Sequence, residues 1–282
     1  MTSNTCGASN GPALPSEHFH QSTLASPWRQ MLALAGSEWR LLLRNKVTLI
    51  NTTAAPGLLV FMFASLPAAR ELGPACMAPV VLLGMVLTFV VYYTLVTSLV
   101  ARRESYVLQR LRTGEASDVT ILAGLALPFA LIAAAQTLLG VLGVGVFLGV
   151  GMPANVGLIA VAIGLGTLVW AMLGIASTGM TRSVEHAQIT TMPLIFVAIL
   201  FSGMSFPLAF LPEALQMLAS LTPMHPVLEL MRLGVAGVDA HGAQLDLVGT
   251  FAAAVKPLLI LLGWVVLSGW AVRRYLQWQP RR

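Results

Sequence analysis

Few residues of this chain have the types and spacing that enzyme chemistry requires. A phosphate-binding G-x-x-x-x-G-K-[ST] loop needs a lysine followed by Ser or Thr, because the ammonium group holds phosphate and the hydroxyl holds Mg²⁺. The two lysines, Lys46 and Lys256, are followed instead by Val47 and Pro257, and no H-E-x-x-H zinc motif occurs. The sequence therefore predicts a protein that is not an enzyme and that has no ATP site of its own.

Other candidate nucleophiles and metal ligands are scattered along the chain. The two cysteines, Cys6 and Cys76, have the spacing of neither a metal motif nor a disulfide framework. His18 and His20 fall in a polar segment near the N-terminus, where solvation is the expected state. We therefore predict no catalytic residue, no metal site and no cofactor held by this chain.

The composition explains why polar chemistry is sparse. Hydrophobic residues make up 57% of the 282 residues and charged residues 10%, whereas soluble domains carry roughly 25% charged residues. A surface with so few charges must be covered by lipid rather than by water. Arginine also outnumbers lysine, and Ala, Gly, Val and Leu are abundant, which is typical of GC-rich bacterial genomes. The sequence predicts an all-α polytopic protein of a bacterial inner membrane.

Six apolar runs are long enough to cross that membrane. About 20 helical residues span a hydrocarbon core of about 30 Å, because each residue rises about 1.5 Å. The third run is overlong, and Pro128 within it predicts a tilt or a break. Together the six runs form a predicted transmembrane domain over 47–272. They are Val47–Leu66, Cys76–Val100, Val119–Val150, Val156–Met180, Ile189–Leu211 and Ala252–Val272.

Basic residues are distributed unequally between the loops on the two sides. Thirteen of the sixteen Lys and Arg residues fall on the side that carries both termini, and Arg70, Arg232 and Lys256 fall on the other. The positive-inside rule then places both termini in the cytoplasm. The net charge of +5 becomes a topology signal, which argues against nucleic acid as a partner. No charged residue is predicted in the middle of a span, which weighs against proton- or ion-coupled transport.

The two ends of the chain flank this domain on the cytoplasmic side. Residues 1–25 are polar and predict a disordered tail without the apolar core of a signal peptide, and 273–282 predict a second tail. Residues 26–46 predict an amphipathic helix that is capped by Ser26 and started by Pro27. Its cationic side and its Trp28 and Trp39 suit the membrane interface; the alternative is a surface helix packed on protein.

Two segments outside the spans have unusual composition. The first follows the second span and predicts a short charged helix with Val107, Leu108 and Leu111 on one side, ended by Gly114. Such a helix could dock into a groove of a partner, or the segment could be a solvated loop that only carries topology charges.

The second segment, 202–232, lies between the fifth and sixth spans and is too apolar for an exposed loop. Its prolines cut it into pieces too short to span, so short helices that re-enter the outer leaflet fit best. Glu229 and Arg232 are three residues apart and could pair. The prolines are Pro207, Pro212, Pro223 and Pro226.

At these two segments the sequence resembles the membrane subunit of type-2 ABC exporters, the ABC-2 permease family, and the resemblance covers nearly the whole chain after the tail. The run from Arg103-Glu104 to Ser117 is similar to the coupling segment of the family, although it lacks the frequent proline. The run Ser202-Gly203-x-x-Phe206-Pro207-Leu208 and the later prolines are similar to the signature between its helices 5 and 6. The helix at 26–46 resembles the interfacial connecting helix.

The resemblance implies a half-transporter in the lipid bilayer. A separate ABC nucleotide-binding ATPase subunit would bind ATP and Mg²⁺, and two permease copies, identical or paralogous, would form the pathway. The coupling residues would be Arg103, Glu104, Tyr106, Leu108, Leu111 and Thr113. The outer gate or re-entrant segment would contain Gly203, Phe206, Pro207, Pro212, Pro223, Pro226, Glu229 and Arg232.

The implied activity is efflux of a hydrophobic or amphipathic cargo, such as a drug, an antibiotic or a lipid-like molecule. The outline is similar to the antibiotic- and drug-resistance branch of the family. The alternatives are a membrane-embedded enzyme and a secondary transporter. The first would need an acid/base pair or metal cluster in one leaflet, and the second a titratable relay at the midplane.

Overall fold

The computed structural model describes residues 26–44, 74–114, 116–148, 153–205, 208–238 and 243–279, together with positions 50, 54, 57 and 58. These residues are mostly helical, and one isolated antiparallel bridge joins Val238 to Gln244. The all-α class predicted from the sequence is confirmed for this part of the chain. The predicted tail at 1–25 and nearly all of the first predicted span, 47–66, lie outside the described residues.

Ten α-helices, one π-helical segment and one 3-10 turn lie in the described part of the chain. A π-helical segment, Val86–Tyr93, joins the second and third helices without a break, and a 3-10 turn, Leu208–Phe210, precedes the eighth. In chain order the α-helices are α1 (Pro27–Arg44), α2 (Pro74–Met85), α3 (Thr94–Glu104), α4 (Val107–Arg112), α5 (Asp118–Leu148), α6 (Val156–Thr178), α7 (Val184–Leu200), α8 (Glu213–Leu221), α9 (Met224–Ala236) and α10 (Leu247–Tyr275).

Four stretches among these residues are long and apolar enough to cross a bilayer. They are Met77–Glu104, Asp118–Val146, Val156–Thr178 and Leu247–Tyr275, and they match the second, third, fourth and sixth predicted spans. The third predicted span is not broken at Pro128, since α5 continues through this residue. Neighbouring helices make such a proline tolerable within a membrane.

The fifth predicted span is displaced and shortened. Its helix, α7, begins at Val184 rather than Ile189 and ends at Leu200 rather than Leu211. Ser183 caps its start, and the chain bends after Phe201 through Gly203 at a φ of +82°, which ends the helix although the apolar run continues. With 17 residues, α7 is about 25 Å long.

Helix α1 packs along α5 through one stripe and leaves a second apolar stripe exposed. A Cβ placed on Gly124 of α5 would meet the side chain of Leu34, so the two helices are close. The buried residues of α1 are Ala35, Glu38 and Leu42. The exposed apolar stripe contains Trp28, Leu32, Trp39 and Leu43. The helix thus packs on protein along one stripe, and its position at a membrane interface stays a prediction, with which the exposed apolar stripe is consistent.

Contacts along helix α10 show which other elements lie beside its start, its middle and its end. The Asn155 amide donates to Thr250 Oγ1 over 3.1 Å near the start of α10, and a Cβ on Gly179 would overlap the Tyr275 backbone at its end. Between them, Trp264 Nε1 donates to the Leu221 carbonyl over 2.8 Å. Trp264 lies about 20 Å along the helix from Thr250. The turn between α8 and α9 therefore lies beside the middle of α10.

Candidate functional site

The ends of α3 and α6 and the start of α7 meet at residues 102–104, which we call the Arg-Arg-Glu segment. Arg103 is only 1% exposed, so its charge needs partners within the protein. Its Nη1 donates to the Thr178 carbonyl over 2.7 Å, and Nη2 donates to the Thr181 and Arg182 carbonyls. Thr178 is the last residue of α6, and Thr181 and Arg182 follow it in the turn before α7, so the guanidinium lies at the C-terminal end of α6, where the helix dipole favours a cation.

Glu104 makes the complementary contact with the next helix. Its Oε1 accepts a hydrogen bond over 3.2 Å from the backbone N–H of Val184, the first residue of α7. A carboxylate is favourable at a helix N-terminus for the same dipole reason. Adjacent residues of α3 therefore hold the end of α6 and the start of α7, and with them the turn at 179–183.

Arg102 attaches α1 to the same segment. Its guanidinium forms an ion pair with Glu38, whose side chain is 3% exposed. Burial raises the pKa of Glu38, and the charge and hydrogen bond of Arg102 oppose that rise. The Arg-Arg-Glu segment is thus in contact with three other helices: α1, α6 and α7.

Helix α4 follows this segment directly. It starts after Tyr106, which has a φ of 60° in the left-handed region. Leu108 is buried in a cluster with residues of α1, α3 and α5, whereas Arg110 and Arg112 are exposed. The Arg112 guanidinium lies 5.2 Å from the centroid of the Trp278 ring, a cation–π contact. Helix α4 is therefore attached mainly through Leu108 and the half-buried Leu111, and its exposed side carries Arg110 and Arg112.

The structure brings the six predicted coupling residues together at this end of the bundle, with different surroundings. The Arg103 guanidinium is buried and donates to backbone carbonyls, whereas Glu104 is exposed and accepts a hydrogen bond from the Val184 amide through one of its two oxygens. Tyr106 is 55% exposed and Thr113 is exposed, while Leu111 is half-buried. The surface open to a partner is the polar side of α4.

Sequence reasoning missed Glu38 and the carbonyls that surround Arg103. Glu38 carried a usable signal: it is the single acidic residue of α1 and shares the stripe of Ala35 and Leu42. A carboxylate within an apolar stripe needs a cationic partner. The carbonyl acceptors had no signal, because every residue type carries a carbonyl group.

The second predicted segment folds into two short helices, α8 and α9, which with the turn between them we call the proline hairpin (residues 211–236). Pro212 precedes α8 and is exposed, whereas Pro223 and Pro226 are buried at the start of α9. Gly203 lies in the bend before the hairpin. Phe206 and Pro207 lie outside the described residues.

Ionisable side chains line one side of α9. Glu229 pairs with His225, with 3.7 Å between Oε2 and Nε2, rather than with Arg232 as the sequence suggested. Nε of Arg232 is buried without a hydrogen-bond partner in the described part of the chain. Lys256 lies within α10 because this helix already begins at Leu247. Nowhere in the described ranges do three or more His, Cys, Asp or Glu side chains group as a metal would require.

A family model described as ABC-2 type transporter matches residues 29–235. This range is well over half of the chain and contains the Arg-Arg-Glu segment, α4 and nearly all of the proline hairpin, while α10 lies beyond it. No curated protein matches the chain. The chain therefore belongs to the ABC-2 type transporter family, whose members are membrane permeases of ABC transporters.

Proposed function

We propose that this chain is the permease half of an ATP-driven exporter in a bacterial inner membrane, with both termini in the cytoplasm. A separate ATPase subunit binds and hydrolyses Mg²⁺–ATP and docks on the polar side of α4. The observation that carries this proposal is the position of α4, which follows at once on a segment in contact with α1, α6 and α7.

The contacts of the Arg-Arg-Glu segment support a coupling role. Only Ser105 and Tyr106 separate α3 from α4, so a displacement of α4 is passed to α3. The bonds of Arg103 and Glu104 then pass it to the turn between α6 and α7, and the ion pair of Arg102 passes it to α1. A partner that pushes on one short helix can thereby move four longer ones.

The proline hairpin is the proposed gate on the outer side. Its turn lies beside the middle of α10, and α9 packs against α2, α6 and α10. This position supports short helices that re-enter the membrane rather than an external loop. Such helices can separate a central cavity from the outside without crossing the bilayer.

The apolar outer faces support two further parts of the proposal. Large apolar side chains are exposed along α5, α7 and α10, among them Leu139, Phe196 and Val266. These faces suit lipid and a second permease copy, identical or paralogous. The scarcity of polar groups favours a hydrophobic or amphipathic cargo, such as a drug, an antibiotic or a lipid-like molecule.

A charge reversal on α4 tests the docking surface. We expect Arg110→Glu to abolish co-purification of the ATPase subunit encoded with the permease, and to abolish ATP-driven efflux from cells. Arg273→Glu is the matched control, since it reverses another exposed charge at the same end and should leave both unchanged. Efflux should also persist when the proton gradient is collapsed.

Three results would contradict the proposal. The first is full co-purification and efflux by the Arg110→Glu variant. The second is efflux that stops with the proton gradient while cellular ATP is maintained, which would favour a secondary transporter. The third is the absence of any ATPase subunit that binds the wild-type permease.

A further inference from the structure

The partly exposed face of α9 is made of ionisable residues. From Met224 to Gly234, every residue of this helix is buried except His225, Glu229 and Arg232. These three positions are spaced by four and three residues, so they share one side of the helix. The open face of α9 is therefore polar, although the helix packs within the apolar bundle.

The charges around this face do not balance. Arg232 and Lys256 of α10 each lie close enough to His225 to interact electrostatically with its ring, and Glu229 is the one carboxylate that does so. Within the described ranges, Nε of Arg232 is buried without a hydrogen-bond partner, and neither Arg232 nor Lys256 forms an ion pair. One carboxylate cannot neutralise two cations, so at least one positive charge lacks a counter-charge among these residues.

Lys256 lies beside this face because α9 and α10 are antiparallel. At one end, the backbone N–H of Asn155 donates to the Gly234 carbonyl over 2.9 Å, and its side-chain amide donates to Thr250 Oγ1. At the other end, Trp264 bonds to the turn that precedes α9. Lys256 falls between Thr250 and Trp264 in the sequence, so it lies level with the middle of α9.

The outward side of α10 continues from Lys256 as an apolar surface. Leu259, Gly263 and Leu267 follow on the same face of the helix. Both leucines are exposed, and no described atom lies within 4 Å of a Cβ placed on Gly263, which leaves a shallow groove. Lys256 itself is exposed and lies about 14 Å from the start of this membrane-spanning helix. A cation at such a depth is costly unless an anionic group accompanies it.

We propose that Arg232 and Lys256 bind the anionic head group, a phosphate or a carboxylate, of an amphiphile whose apolar tail lies along the groove of α10. The guanidinium and the ammonium supply charged donors, and hydrogen bonds between ions of opposite charge are stronger than neutral ones. A phospholipid and an anionic cargo share this chemistry. The site does not depend on the proposed function, whereas the role of the amphiphile as cargo rests on it.

Native mass spectrometry of the purified permease, in a neutral maltoside detergent and without any ATPase, tests the site. The probes are phosphatidylglycerol against phosphatidylcholine with the same acyl chains, and dodecyl phosphate against zwitterionic dodecyl phosphocholine. Wild type should retain the anionic member of at least one pair about tenfold more than the zwitterionic member. Lys256→Gln should abolish this preference and Lys256→Arg should keep it.

The matched control is Arg273→Gln, which removes an exposed cation from the last turn of the same helix and should keep the preference. Equal retention of both members of each pair by wild type would overturn the proposal. A preference that survives in both Lys256→Gln and Arg232→Gln, or that is lost equally in Arg273→Gln, would also overturn it, because it would report only a general attraction of a basic protein for anions.

ATP hydrolysis by the complex of permease and ATPase subunit then distinguishes cargo from lipid. As a cargo, dodecyl phosphate should stimulate hydrolysis in wild type and Arg273→Gln but not in Lys256→Gln. Specific binding without stimulation would uphold the site and assign it to a phospholipid head group. Failure of the wild-type permease to associate with any ATPase subunit would count against the proposed function alone, since the binding measurements do not use that subunit.

Discussion

At the scale of single residues, Arg103 makes three hydrogen bonds from a buried position. Its guanidinium donates to the Thr178 carbonyl at the end of α6, and the residue is almost fully buried. Hydrogen bonds to a charged group contribute about 1.5–3 kcal/mol each. We predict that Arg103→Ala lowers the unfolding free energy by roughly 3 kcal/mol, measured by thermal unfolding of the purified protein in detergent.

The control for this variant is Arg110→Ala, which removes an exposed arginine from α4. Its melting temperature should match that of wild type. Equal melting temperatures for Arg103→Ala and Arg110→Ala would contradict the assignment of Arg103 as a structural cation.

The raised pKa of Glu38 predicts how the unfolding free energy changes with pH. Burial raises the pKa of its carboxyl above the ordinary value of 4.5, so the folded state keeps this proton to a higher pH than the unfolded state does. The stability that this group contributes is fully present below 4.5 and is lost as the pH rises through the raised pKa. The Glu38→Gln variant lacks this titration.

The unfolding free energy of wild type minus that of Glu38→Gln should therefore increase when the pH is lowered from 7 towards 4.5. Thermal unfolding of the two proteins across this range measures the difference. A difference that is constant, or that shrinks on acidification, would show that the Glu38 carboxyl does not have a raised pKa.

At the scale of elements, glycines set how closely helices approach. A Cβ on Gly166 of α6 would come within 2.9 Å of Val227 on α9 and 3.0 Å of Leu87 on the π-helical segment, whereas Gly164 has no neighbour within 4 Å. We predict that Gly166→Ala costs about 1–3 kcal/mol through overpacking. Gly164→Ala should be neutral or stabilising by up to about 1 kcal/mol, because alanine is the better helix former.

Melting temperatures of these two variants, made in the same helix two positions apart, measure the effect. Equal changes would show that α6 is not in close contact with α9 and the π-helical segment. A loss of stability by the Gly164 variant alone would reverse the assignment of the two faces.

The limits of sequence reasoning differ between elements. Long apolar runs predict the bounds of α5, α6 and α10 to within a few residues, because helices that cross a membrane need apolar side chains along most of their length. The same signal misplaces α7, because it does not record that Gly203 turns the chain. The π-helical segment has no composition signal, since its sequence, VLTFVVYY, is that of an ordinary span.

The candidate site was predictable in position but not in detail. The loop at 102–113 and the prolines of 207–226 mark unusual segments by composition alone. Which of two adjacent arginines turns inward depends on carbonyls some 75 residues away in the sequence, and no local pattern encodes that. The partner of Glu229 was likewise not predictable: the spacing suggested Arg232, whereas the structure places His225, on the preceding helical turn, beside it.

At the scale of the whole molecule, the distribution of arginine predicts one orientation in the membrane. With Cys6 and Cys76 replaced by alanine, a cysteine at Ala154, in the loop before α6, should react with a membrane-impermeant maleimide added to intact cells. A cysteine at Thr113, after α4, should react only after the membrane is opened. Both positions are exposed. The reverse pattern of labelling would invert the proposed topology and place α4 outside the cell.

The contact of Trp278 with Arg112 has a practical consequence for assembly. It holds the chain after α10 next to α4, so any domain genetically fused beyond residue 282 starts close to the proposed docking surface. A flexible linker of modest length would then give a fused ATPase subunit an effective concentration in the millimolar range. A single-chain fusion should therefore keep its ATPase engaged at dilutions that separate two independent subunits, and Arg110→Glu should weaken that engagement without releasing the tether.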